Sequence, residues 1–316
     1  MTTITQTMPM REGYGRALAA YGADNPDVVV LDADTSSSTL ARFFADRYRD
    51  RFFNIGIAEQ CLVDVAVGLA LGGKIPFANA FAALMSLRAA EQIRTCVAYA
   101  RTNVKLAAGY AGLSDFKDGP THNAITDIAI LRAMPEMTVI VPADTLEAGR
   151  WVPVIAEYDG PVYFRLSRAS TIPVHDETLE VRIGKGINLR EGGDLTIVAT
   201  GSMVGRSLLA AGKLARKGIN ARVLEIHTIK PLDVDLVCQA AAETGAIVTA
   251  EEHSIVGGLG GAVAEVLADR CPTPVVRVGV ADTFALTAFD PDTLMDAFGL
   301  AVDDVVAAAE NVLQRK

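Results

Sequence analysis

The sequence predicts an α/β protein of two doubly wound domains, each built on a mostly parallel sheet. Three observations carry this. Short β-branched runs alternate with longer segments of helical period along the chain. The strand-like runs, such as DVVVLDA at 27–33, have apolar centres, as in a sheet covered on both faces. Residues 169–193 interrupt the alternation with Pro173 and scattered charges, and read as a linker. The domains are therefore placed at 10–168 and 194–316.

In chain order, a polar tail precedes a helix over 10–23, with Tyr14, Leu18 and Tyr21 on one face. The strand at 27–33 ends in the polar loop DTSSS at 34–38. In open α/β sheets, ligands gather at such carboxyl ends. A short helix near 40–48, a strand near 52–55 and a long helix over about 57–71 follow. Next come a strand at 75–80, a helix over 81–99 and a strand at 104–108. The loop 110–123, rich in Gly, Asp and Pro, is longer than an ordinary connection and reads as a working loop. A helix at 125–134, a strand at 138–141, a helix at 145–158 and a strand at 162–166 close the first domain. In the second, strands at 195–200, 221–226, 246–250 and 275–280 each precede a helical pattern.

Composition narrows the function. Of 316 residues, 50% are hydrophobic, enough for a sizeable core. A net charge of -9 has the wrong sign for a nucleic-acid binder. The four cysteines form no CxxC pair, and no metal-ligand cluster is visible among the four histidines. No signal pattern opens the chain and no apolar run is long enough to span a bilayer, so a cytoplasmic protein without membrane or nucleic-acid partners is expected. The common catalytic signatures are missing. GGLGGAVAEVLA at 257–268 matches a dinucleotide fingerprint poorly, and close helix–strand packing explains its glycines better.

Three segments are unusual. In NIGIAEQ (54–60), Glu59 enters an otherwise apolar helix. It reads either as a first-turn acid favoured by the helix dipole or as a carboxyl placed for proton transfer. DGPTH (118–122) sets Asp118 and His122 on the long loop, where a histidine is either solvated or a binding group. FRLSR (164–168) and DADTSSS (32–38) place cationic and polar groups at strand ends, suited to an anion, although a surface ion pair is the commoner role for an arginine such as Arg168.

In this order, NIGIAEQ, DGPTHNAITDIAILRAMPEMTVIVPAD, VYFRLSR, VLEIHTIKPLD and TAEEHSIVGGLGG resemble transketolase and its relative 1-deoxy-xylulose-5-phosphate synthase, over about residues 10 to 310. The resemblance implies a pyrimidine-binding domain followed by a transketolase C-terminal domain, with thiamine diphosphate lying between domains of different chains. Glu59 would meet the cofactor's aminopyrimidine ring and control its proton. Phe81 would pack on that ring with Leu84 beside it, and Asp34 would lie near the cofactor at the subunit interface. Asp118 and His122 would read sugar hydroxyls, His122 also assisting proton movement. Arg11, Ser38 and Arg168 would hold the substrate's phosphate end.

The sequence also departs from the family. Tyr110 stands at the position of a phosphate-contacting histidine, Leu84 and Leu87 replace aromatics, and Lys117 replaces an acid. Ala58, Glu59 and Gln60 have the synthase-like form. The resemblance thus implies retained cofactor chemistry with a substrate outside the standard sugar phosphates. The family's metal-binding Gly-Asp-Gly sequence is missing. The resemblance therefore implies a partner subunit that grips the diphosphate and its Mg2+ or Ca2+, in an α2β2 assembly that moves a two-carbon ketol unit from a ketose or ketose phosphate to an aldehyde. No metal ligand is assigned to this chain. The alternatives are the beta subunit of a 2-oxo acid dehydrogenase and a non-catalytic interaction subunit of the same fold.

Overall fold

The computed structural model describes residues 8–316. The chain runs α1 (Met10–Asp24), β1 (Val28–Asp32), α2 (Ser36–Thr39), α3 (Arg42–Ala45), β2 (Phe52–Asn54), α4 (Glu59–Leu71) and β3 (Ile75–Phe81). Then come α5 (Ala82–Arg88), α6 (Ala90–Gln92) with a π-helical turn (Ile93–Tyr99), β4 (Lys105–Gly109), α7 (Asp127–Ala133), β5 (Thr138–Ile140), α8 (Thr145–Glu157) and β6 (Val162–Arg165). The rest is β7 (Ile187–Arg190), β8 (Leu195–Ala199), α9 (Met203–Arg216), β9 (Ala221–Glu225), β10 (Thr228–Lys230), α10 (Val234–Thr244), β11 (Ile247–Ser254), α11 (Leu259–Arg270), β12 (Val275–Val280), α12 (Pro291–Ala297) and α13 (Val302–Leu313).

These elements form the two α/β domains that the alternation predicts. The first sheet has the order β10-β5-β6-β4-β3-β1-β2, and the second β12-β11-β8-β9-β7. All pairings are parallel except those of β10 with β5 and β7 with β9. Strands β1, β4 and β8 are buried at every position, which explains their unbroken apolar runs.

The short edge strands escape the sequence reading. β7 lies inside the segment read as linker and borders the second sheet. β10, from the HTIKP segment, crosses over to extend the first. One hydrophobic core runs from Leu62, Met85 and Leu131 in the first domain to Ile229, Val237 and Leu259 in the second. The domains therefore share buried apolar surface rather than hanging from a free tether.

Several helices differ from expectation in extent. The helix expected over 81–99 breaks at Ala89 (φ -100°, ψ 17°) into α5, α6 and the π-helical turn. Of the helix expected near 40–48 only α3 forms, over Arg42–Ala45, after a separate short α2 that ends at Leu40 with φ 64°. The long helix begins at Glu59 rather than near Ile57, because Gly56 (φ 83°) turns the chain just before it. At Gly13, an added Cβ would lie 2.0 Å from the Thr145 carbonyl oxygen, so the crossing of α1 with α8 tolerates no side chain there.

Candidate active site

The residues singled out in the first domain sit at or just beyond the carboxyl ends of β1, β2, β3, β4 and β6, with Arg11 arriving from the start of α1. That edge is where an open parallel sheet leaves a crevice.

Glu59 is the first residue of α4 and is only 1% exposed. Its Oε2 lies 2.6 Å from Nη1 of Arg88, at the end of α5. Leu84 and Arg88 fall at i and i+4 on α5, and Phe81 ends β3 just before that helix, so a partly exposed apolar stretch precedes the Arg88 that holds the Glu59 carboxylate. No hydrogen bond reaches Oε1 of Glu59 from the described residues, which leaves that oxygen able to accept one.

Around Phe81 an aromatic cluster forms. Its ring centroid is 4.4 Å from Tyr110 and 5.9 Å from His122, the latter edge-on. Tyr110 follows β4 with φ 60°, a left-handed conformation that turns its ring into the cluster. The guanidinium groups of Arg11 and Arg168 lie 5.7 and 4.9 Å from its ring centroid. Arg11 Nη1 also donates to the Tyr110 hydroxyl at 3.2 Å and to the Ser38 carbonyl at 2.6 Å. Arg168 Nη1 binds the buried Asp115 at 2.7 Å, so the ion pair anticipated for this arginine exists, with a buried partner.

Phe81, His122, Arg11, Ser38 and Arg168 are thus linked through direct contacts, with Tyr110 at the centre. Asp118 is exposed on the same loop, adjacent to Asp115. Burial and the neighbouring Asp118 push the Asp115 carboxyl up to about 6, while Arg168 and His122 pull the other way. Two anticipated residues stand apart from this cluster. Asp34 is exposed with φ 65° and accepts a hydrogen bond from Asn54 Nδ2 at 2.9 Å, while Glu59 pairs with Arg88. Asn54 Oδ1 in turn accepts from the Gly56 amide at 3.0 Å, tying the Asp34 turn to the loop that delivers Glu59.

The long loop is held from the second domain. Leu113 N donates to Glu252 Oε1 at 2.7 Å, and Ser202 Oγ to Oε2 at 2.5 Å. Arg165, buried on β6, binds Asp127 at 2.7 Å and donates to the Glu252 carbonyl at 3.0 Å. Beside it, Glu251 accepts from the amides of Leu259 and Gly260 at 2.7 and 2.8 Å and so caps α11. A Cβ on Gly258 would come within 1.9 Å of that carboxylate, so the Gly-rich turn serves close packing rather than a dinucleotide.

Family models for the transketolase pyrimidine-binding domain and the transketolase C-terminal domain match residues 6–172 and 184–305. The chain belongs to the transketolase family. It is 42% identical over 307 residues to the SqwH subunit of 6-deoxy-6-sulfo-D-fructose transketolase from Clostridium sp. strain MSTE9, covering 97% of this chain and 95% of that one. It is 36% identical over 307 residues to 1-deoxy-D-xylulose-5-phosphate synthase 1 of Geobacter sulfurreducens, covering 96% of this chain but 48% of the synthase. A solved structure described as a split-gene transketolase, an inactive beta4 tetramer, is 47% identical with a TM-score of 0.91, covering 97% of this chain and 99% of that one.

Transketolase motifs pointed to Glu59, Phe81 and the loop, but not to Arg88, Asp115 or Glu252. Helical spacing places Arg88 one turn beyond Leu84 on the same face, a signal available from the sequence. Glu252 offered none, because its contacts cross from one domain to the other.

Proposed function

We propose that this chain is the C-terminal subunit of a two-subunit, thiamine-diphosphate-dependent transketolase, which moves a two-carbon ketol unit from a ketose to an aldehyde. The observation that carries this reading is Glu59, a buried carboxylate with one uncommitted oxygen, held by Arg88 at the end of the helix that begins after Phe81 and carries Leu84. A flat apolar surface ending in a hydrogen-bond acceptor suits an aminopyrimidine. When bound, thiamine diphosphate supplies the carbon centre that accepts and releases the ketol unit. Glu59 would hold a proton at the pyrimidine nitrogen, Phe81 and Leu84 would pack on the ring, and Asp34 would face the cofactor from the interface. Asp118 and His122 would bind the sugar hydroxyls, with His122 moving a proton at the reacting carbons. Arg11, Ser38 and Arg168 would hold the far end of the sugar.

A partner is proposed for the diphosphate and its Mg2+ or Ca2+, because this chain has no Gly-Asp-Gly sequence. The relative at 95% coverage is itself called a subunit, and the synthase carries about as much chain again. Self-association, in an α2β2 complex, is supported by the outer side of α4. Cys61, Val65, Gly68 and Leu71 are exposed there, with Ile57 exposed just before the helix, so α4 carries apolar residues on its outer side as well as its inner one. Among the described residues no helix is long and apolar enough to cross a membrane. A cytoplasmic site and the lack of nucleic-acid partners remain part of the proposal.

The test is reconstitution. This chain alone is expected to associate but to transfer no ketol groups, and a partner carrying Gly-Asp-Gly is expected to restore transfer with thiamine diphosphate and Mg2+. Ketol transfer by the purified chain alone would overturn the split-enzyme reading.

A further inference from the structure

The far end of the sugar site has a charge balance that its two arginines conceal. Arg168 is committed to Asp115, a carboxylate with 0% exposure, through a 2.7 Å contact. Arg11 makes no ion pair with any described residue. Its Nη1 donates only to neutral oxygens, the Ser38 carbonyl and the Tyr110 hydroxyl. One guanidinium is therefore cancelled and one is not. Between them, the Tyr110 hydroxyl proton has no acceptor among the described residues and is free to be donated to a ligand.

We propose that Asp115 is a specificity-determining residue, and that this end of the site takes a ketose ending in a singly charged oxyanion, of the sulfonate or carboxylate class, rather than a phosphate dianion. The inference rests on the ketol-transfer reading above and names the substrate class of that same site. A singly charged group meets the uncancelled Arg11 and the Tyr110 hydroxyl. The second charge of a phosphate meets an Arg168 whose charge the buried Asp115 behind it already offsets, so it gains little net attraction while its desolvation is costlier. Exposed Asp118 on the same loop adds to the repulsion. The Asp115 carboxyl, pushed up to about 6 by burial and by Asp118 against the pull of Arg168 and His122, is ionised at mildly alkaline pH. There the cancellation is complete. Asp115 carries the effect because its burial places its charge where solvent screens it least.

The reconstituted complex is given one ketohexose skeleton ending in hydroxyl, sulfonate or phosphate, at about pH 8, where the phosphate is a dianion. Wild type is expected to show the highest kcat/KM for the sulfonate, about tenfold above the phosphate, the effect of roughly 1.4 kcal/mol. Asp115→Asn, similar in shape but neutral, is expected to raise the phosphate-to-hydroxyl ratio of kcat/KM about tenfold. A wild-type preference for phosphate or hydroxyl overturns the inference. So does a phosphate-to-hydroxyl ratio unmoved by Asp115→Asn. Should that variant fail to fold, the wild-type series decides by itself. Turnover of none of the three sugars removes the ketol-transfer reading and this inference together, whereas a phosphate preference removes this inference alone.

Discussion

Arg88 Nη1 lies 2.6 Å from Oε2 of Glu59, so a half-exposed guanidinium holds one oxygen of a buried carboxylate and leaves the other to a ligand. The pair links the start of α4 to the end of α5, and the apolar stretch of Phe81 and Leu84 precedes it. It fixes where the acid points.

Glu59→Gln in the reconstituted complex should lower ketol transfer by about 100-fold or more, since it removes a carboxylate placed for proton control. Assembly measured by gel filtration should not change. Arg88→Ala should lower kcat by roughly tenfold with little change in sugar KM, because the carboxylate loses its fixed orientation. Arg88→Lys should restore part of that loss. Equal kcat values for wild type and Arg88→Ala would rule out the positioning role.

The clasp between Leu113 and Glu252 should govern the order of the long loop. Glu252→Ala strands the buried Leu113 amide, at about 1–3 kcal/mol for a buried group left unpaired, and releases the half-buried Ser202 hydroxyl. The expected results are a lower Tm, faster proteolysis within residues 110–126 and a raised KM for sugar. Gly112→Ala should act similarly. Its φ is 65° and an added Cβ would lie 2.4 Å from Glu252 Oε1, so strain adds to the clash. A Tm equal to wild type in both variants would refute the clasp.

Domain docking should respond to pH through a buried group of two glutamates and two histidines. Across the domain boundary, His227 Nδ1 lies 2.9 Å from Glu147 Oε1, and His175, from the segment between the domains, brings its Nε2 to 2.8 Å from Glu225 Oε2. These contacts are short, but neither nitrogen of His227, nor His175 Nε2, nor either oxygen of Glu225 makes a hydrogen bond with a described residue. Glu147, Glu225 and His227 lie close enough together to hold a metal ion. Burial and then Glu147 push the Glu225 carboxyl well above its usual range. Burial would raise Glu147 as well, but the close contact and charge of His227 bring it down to about 2. Burial would lower His227, but Glu147 and then Glu225 raise it.

The signs then follow. Glu147 stabilises fully above its ordinary 4.5 and loses this as pH falls toward 2. His227 stabilises fully below its ordinary 6.5 and loses this as pH rises through its raised value. Glu225 favours the fold in acid and loses that contribution as pH rises from 4.5 to its raised value. Tm of the isolated chain should therefore fall on the alkaline side of neutrality. In Glu147→Gln the remaining slope should be shallower, with an overall loss of about 3 kcal/mol. Parallel Tm profiles for the two proteins would discard the linkage.

Much of the fold was legible because its signals are local. The apolar centre of β1 and the Tyr14–Leu18 face of α1 can be read within a few residues. Strands β7 and β10 were not legible. Each is four residues or fewer, and only its distant partner, β9 or β5, makes it a strand. The break at Ala89 likewise lies in a sequence with ordinary helical propensity, where packing overrides local preference.

The sequence alone determined that this is an α/β chain, that Glu59 enters an apolar helix, and that a histidine and acids share one long loop. Those features rest on periodicity and residue type. Only the tertiary structure decided which charges meet: Arg88 with Glu59, Asp115 with Arg168, Glu252 with the Leu113 amide, and His227 with Glu147. The physical reason is that Coulomb and hydrogen-bond energies depend on distance and burial, and neither can be read from positions separated by 29 to 139 residues in the chain.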